Sequence, residues 1–374
     1  MSSILLPSRP RLAQAGDDAL LERAARLHEY PSLSDLTPGS LQRLAEEDGI
    51  DFATALLYDR LIRSPQHGPG VAHIESLPPH PGPLPRSGGE GVHGVAALPG
   101  NAFSPLAPTG RGDGGEGARP ITLAIVPGAC YVEYPHTGAG GERLGAIAET
   151  LGCQTKVVPI KSFGSLAENA QTICDWLSCC TDDRIIVVSL SKGGADVKLA
   201  LARPEADLAF RRVKAWVSLS GIIYGTPLAD WFLGRPLSRV LLRLLCWYRG
   251  YRFDYLQDLG RRPGGPLDSD LRLPDHLKVV HVIGFPLIRH LSSPLARRTH
   301  RRLAPLGPND GGGILLADVL RLPGLVYPVW GADHYLQPDG DMRPLIARIL
   351  DFVSDEASAS TNPVGVPASA GYTA

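Results

Sequence analysis

Arg184-Ile-Ile-Val-Val-Ser-Leu-Ser-Lys-Gly-Gly-Ala-Asp196 passes from a short β-branched run directly into a glycine pair. In Arg184 to Val188 the four residues after the arginine are apolar at successive positions, the pattern of a strand covered by helices on both faces. A helical stretch follows from Gly193 to Ala202 with no room for an ordinary loop. The chain must therefore turn sharply at Ser191, and the small residues Ser189 and Gly193 let the two arms approach each other. A serine on such a turn is held in strained geometry, with its hydroxyl exposed and a helix N-terminus behind it, where developing negative charge is favoured. An ordinary strand-to-helix turn with a capping serine would share this local pattern.

Downstream residues separate the two readings. Leu306-Gly-Pro-Asn-Asp-Gly-Gly-Gly places Asp310 in a turn-rich loop, and Leu325 to Trp330 reads as a last strand leading into Gly331-Ala-Asp-His, so His334 lies just past its carboxyl end. In a parallel sheet the carboxyl ends of the strands share one edge, so Ser191, Asp310 and His334 can converge although far apart in sequence. A hydroxyl is a poor nucleophile, an imidazole can take its proton, and a carboxylate fixes the imidazole tautomer and stabilises its charged form. Asp318, Asp333 and Asp196 compete for the acid position. Asp333 neighbours His334, but adjacent side chains in an extended loop point apart, which suits it to ordering the loop. Asp318 and Asp196 fall in helix-like stretches, where a solvated position is the default.

Five short segments occur in the order found in the α/β-hydrolase superfamily, and over residues 120–352 the chain resembles its lipase- and esterase-like branch. They are Pro127-Gly-Ala after the first strand, the Ser189-Leu-Ser-Lys-Gly-Gly turn, Gly225-Thr-Pro-Leu-Ala-Asp, Gly307-Pro-Asn-Asp-Gly and Gly331-Ala-Asp-His. The resemblance implies Ser191 as nucleophile, Asp310 as triad acid and His334 as base. It also implies an oxyanion hole made by the backbone N–H of Lys192 and one from the Gly128, Ala129 or Cys130 turn. Ser189 replaces the family's first glycine. Lys192 follows the nucleophile, either to attract an anionic group or to lie along the helix surface. The implied activity is hydrolysis of a small or lipid-like carboxylic ester through an acyl-enzyme, with no metal or organic cofactor. Thioester hydrolysis or acyl transfer would use the same site, and a catalytically idle binding scaffold is the reading of another class. An acyl-carrier partner finds no support beyond the basic cluster Arg297, Arg298, Arg301 and Arg302, which suits a solvated helix flank.

Composition agrees with an enzyme rather than a polyelectrolyte binder. Lys plus Arg number 37 against 38 Asp plus Glu in 374 residues, so no net field draws the whole chain to nucleic acid or to an anionic membrane. The six cysteines, at 130, 153, 174, 179, 180 and 246, lack the paired spacing of a zinc site or disulfide framework. The chain opens with no charged leader and apolar run, and no stretch has transmembrane length, so a cytoplasmic location is expected.

The expected fold is α/β, a mostly parallel central sheet with helices on both faces and a helical cap insertion. Strands are expected over 121–126, 155–160, 184–188, 213–219, 277–283 and 325–330. Residues 1–66 form a helical extension, with Ala53, Leu56, Leu57 and Leu61 on one face and Asp51 as N-cap. Pro, Gly and small residues dominate 67–119, which is expected to be a disordered insertion, and 353–374 a disordered tail. The hydrolase-like body is 120–352. Within it, 221–270 breaks the alternation and suits a cap, where Leu237, Val240, Leu241, Leu244, Leu245 and Tyr248 line one helical face. That face is either a lid over an acyl chain or a helix packed in the core.

Overall fold

A computed structural model of the chain describes residues 16–78, 121–291, 293–336 and 342–354. Four helices come first: α1 (Asp17–Arg26), α2 (Pro38–Glu47), α3 (Ile50–Arg63) and α4 (Gly68–Ser76). Strands and helices then alternate: β1 (Thr122–Val126), α5 (Glu142–Thr150), β2 (Gln154–Val157), α6 (Leu166–Cys179), β3 (Ile185–Leu190), α7 (Lys192–Leu201), α8 (Ala206–Phe210) and β4 (Val213–Leu219). Next come α9 (Pro227–Leu233), α10 (Pro236–Arg249), α11 (Asp254–Asp258), β5 (Lys278–Phe285), α12 (Pro294–Leu303), β6 (Leu325–Trp330) and α13 (Arg343–Ser354). The strands form one parallel sheet in the order β2-β1-β3-β4-β5-β6. All six expected strands are present, two of them with the expected bounds.

Successive residues along each strand serve opposite layers, because side chains alternate across a sheet. Ala124, Val126, Ile185, Val187 and Trp216 pack with α1–α3 and α6–α8. Leu123, Ile125, Ile186, Val188 and Val217 pack with α4, α5 and α13 on the other face. That double burial explains the unbroken apolar runs from which the strands are legible.

The N-terminal helices are built into this body. Tyr58 of α3 packs on Phe285 and Trp330, with ring centroids 5.9 and 4.8 Å apart. The buried Asp17 accepts a hydrogen bond from Trp330 Nε1 at 3.0 Å. Three expectations change here. Asp51 is not the cap of α3; Gly49 holds that position, and the Asp51 carboxylate accepts the Ile288 N–H at 2.9 Å. The segment beginning at His67 is not an insertion at its start. His67 Nδ1 accepts the Val326 N–H, Val71 and Ile74 are buried, and Glu75 pairs with Arg348 at 3.1 Å, so apolar burial and ion pairing hold α4 on β6 and α13. The helix α13 likewise carries regular structure to Ser354. The expected disorder over 79–119 and beyond 354 lies outside the described residues.

Candidate active site

The register of the sheet brings the ends of β3, β4, β5 and β6 to one edge: Leu190 lies beside Leu219, and Phe285 beside Trp330. Ser191 follows β3 at once with φ 48° and ψ −113°, a region that non-glycine residues avoid. The strain is held by the bonds around it. Ser191 N–H donates to Leu219 O, and Ser191 O accepts from Gly194 and Ile222, each at 3.0 Å. Glycine is required at 193, where a Cβ would sit 2.5 Å from Val126 O and 2.6 Å from Pro127 O. The close approach at Gly193 is therefore to the end of β1, not between the two arms of the turn as expected from the sequence.

Ser191, His334 and Asp310 meet in one hydrogen-bonded line. Ser191 Oγ lies 2.9 Å from His334 Nε2, and His334 Nδ1 lies 2.6 Å from Asp310 Oδ2. An ionised carboxylate only accepts, so Nδ1 carries the proton and Nε2 is left to accept from the serine hydroxyl. The other Asp310 oxygen accepts the N–H groups of Gly312, Gly313 and Ile314 at 2.9, 3.0 and 3.0 Å. The Gly-rich loop thus folds around the carboxylate, and at Gly312 a Cβ would meet the His334 side chain at 2.1 Å.

These contacts set the charges. Burial alone would raise Asp310, but the charge of His334, its hydrogen bond and the loop N–H groups outweigh it and hold the carboxyl below its usual range. Burial pulls His334 down, while Asp310 more than compensates and leaves the imidazole above its usual value.

The other acids are occupied elsewhere. Asp333 accepts the Tyr335 N–H at 3.1 Å, in keeping with a loop-ordering position. Asp318 is not a solvated helix residue: it is buried in a two-pronged pair with Arg261, at 2.6 and 2.9 Å. Asp196 is buried too, and both its oxygens accept from Lys192 Nζ at 2.9 Å. Burial lifts its carboxyl to about 6 despite Lys192 and Asn169. Lys192 therefore neither lies along the surface nor faces an incoming anion; its side chain is buried behind the turn. Sequence periodicity does mark the pair, because positions four apart share a helix face.

Ser189 is fully buried and accepts a hydrogen bond from Trp216 Nε1 at 2.8 Å, which gives the residue replacing glycine a place in the core. Of the three turn residues, Gly128 donates its N–H to Ala139 O at 2.8 Å and is already committed. Ala129 and Cys130 line the cavity in front of Ser191, with Cys130 at φ 63°. Lys192 is the first residue of α7, where a backbone N–H has no partner within the helix.

A cavity of about 400 Å³ opens onto Ser191 and His334. Its wall is apolar, formed by Leu144 and Ile147 of α5, Leu190 and Leu219 at strand ends, and Ile346 of α13. Of the expected cap, 221–270, only Ile222 is among the described residues lining the cavity. None of the described residues lining it belongs to α9, α10 or α11. Nor is α10 packed in the core, since all its large apolar side chains except Leu242 are exposed. Leu144 and Ile147 were legible only as an amphipathic pair three apart.

No family model and no curated protein matches the chain. Among solved structures, a metagenomic carboxyl esterase is similar at 26% identity, over 66% of this chain and 80% of that one, with a TM-score of 0.50. The mature Bacillus licheniformis lipase matches at 18% identity over 66% of this chain and 96% of its own, with a TM-score of 0.45. Bacillus subtilis carboxylesterase CesB matches at 15% identity, 63% and 84% coverage and a TM-score of 0.32.

Proposed function

From the premise that the chain belongs to the α/β-hydrolase superfamily, in its lipase- and esterase-like branch, we propose that it hydrolyses carboxylic esters with Ser191 as nucleophile. The observation carrying this reading is the continuous line from Ser191 Oγ through His334 to Asp310. His334 Nε2 takes the hydroxyl proton as Ser191 attacks the ester carbonyl. The tetrahedral oxyanion is received by the N–H of Lys192 and one from Ala129 or Cys130. Collapse expels the alcohol, which takes the proton from His334. Water activated by the same imidazole then releases the acid. Ester rather than another acyl compound is supported by the similarity to a carboxyl esterase.

A fluorophosphonate probe tests the assignment. Wild-type protein is expected to label, and Ser191→Ala to lose labelling together with about a thousandfold or more of nitrophenyl ester turnover at unchanged melting temperature. Labelling that survives in Ser191→Ala would remove Ser191 from the mechanism. A specificity constant higher for acyl thioesters than for matched oxygen esters would transfer the activity to the thioesterase reading.

A further inference from the structure

We propose that the outer face of α10, with the adjoining arginines of α12, docks on an anionic lipid bilayer. The helix touches the body along a narrow stripe, Ser238, Leu242 and Cys246, four residues apart on one face. The rest of its surface carries Leu237, Val240, Leu241, Leu244, Leu245, Trp247 and Tyr248, all exposed, with Leu237 and Trp247 at 80% and Tyr248 at 78%. An amphipathic helix normally turns its apolar side to the protein, and here that side faces outward.

The charge around this face is of one sign. Between Trp231 and Phe253 the chain contains five arginines and no acid, although its net charge is −1; Arg252 is paired with Glu168 and Asp254, which leaves Arg235, Arg239, Arg243 and Arg249 to the face. Arg239 and Arg243 flank the apolar face one helical turn apart. The helix α9 contacts both α10 and α12. Its Trp231 ring has Arg235 at 4.0 Å and Arg302 at 3.5 Å, so the start of α10 and the end of α12 share one cationic site. Helix α12 adds Arg297, Arg298 and Arg301, with Leu295 exposed beside them. The bordering acids are engaged: Asp230 accepts the Arg261 N–H, and Asp254 pairs with Arg252.

Leucines and aromatics bordered by arginine are the composition of a helix lying in a bilayer interface, the apolar side among acyl chains and the cations at anionic headgroups. A second copy of the chain fits less well, because a two-fold contact would set arginine against arginine. The proposal does not depend on the catalytic reading.

Flotation of the full chain with vesicles tests it. With equal parts phosphatidylcholine and phosphatidylglycerol, binding is expected to fall with salt and to shift Trp247 emission to the blue, while phosphatidylcholine alone binds weakly. The triple variant L241S/L244S/W247S and the pair R239Q/R243Q should each weaken partition about tenfold or more. Their melting temperatures should be unchanged, because these side chains are exposed. Three results overturn the proposal: no flotation of wild type, flotation insensitive to both variants, or a concentration-dependent dimer abolished by the triple variant without vesicle binding.

Discussion

Ser191 keeps its strained backbone because the bonds from Leu219, Gly194 and Ile222 leave it no relaxed alternative, and the result is a hydroxyl aimed at His334 Nε2. The imidazole works as a base only when neutral. Asp310 raises its affinity for the proton above the ordinary value of 6.5. The acid limb of kcat/KM is therefore expected above pH 6.5, with turnover rising as pH increases through it. In Asp310→Asn the largest opposing charge is gone and only Asp333 still acts against burial, so that limb should move down while turnover falls by several orders of magnitude. A pH profile of both proteins with a soluble ester checks this. An unshifted limb would mean that another group sets the titration.

At the scale of elements, α5, α13 and the ends of β3 and β4 wall the cavity, whereas α10 stands away from it. In the proposed reaction, an apolar wall next to Ser191 favours longer acyl chains. Each buried methylene contributes about 0.8 kcal/mol, close to fourfold in the specificity constant. The constant should accordingly rise from acetate to hexanoate esters. Leu219→Asn should flatten the series, and Leu241→Asp on α10 should leave it unchanged, with thermal melts controlling for folding. A steep series in Leu219→Asn and a flat one in Leu241→Asp would return the acyl wall to the 221–270 segment.

In the molecule as a whole, His67 and His281 join the first helices and the sheet core in one titrating interior. Burial lowers each to about 4; the Pro323 carbonyl only partly opposes this at His281. Both are neutral in the fold, while an unfolded chain takes up protons near 6.5. Stability from these residues is therefore complete above about 6.5 and is lost as pH falls towards 4. His67→Asn retains an acceptor for the Val326 N–H and removes one titration. Relative to this variant, wild type should lose up to about 3 kcal/mol between neutrality and pH 4 in denaturant unfolding. Parallel stability profiles for the two proteins would show that His67 does not titrate on unfolding.

Six parallel strands, the sharp turn at Ser191 and the positions of Asp310 and His334 after their strands were determined by the sequence, because strand periodicity and Gly-rich turns are local properties of the chain. What joins distant segments was decided only in three dimensions. Lys192 and Asp196 share a helix face in any reading, but their burial depends on Asn169 and the layer above them. The direction of α10 could not be read from its pattern, since an amphipathic helix has the same periodicity whether its apolar side meets a core, a substrate or the outside. The same holds for α4, whose Gly- and Pro-rich start resembles a linker until Val71, Ile74 and Glu75 find β6 and α13. A helix of that length gains most of its stability from tertiary packing, and the partners that supply it lie some 250 residues away.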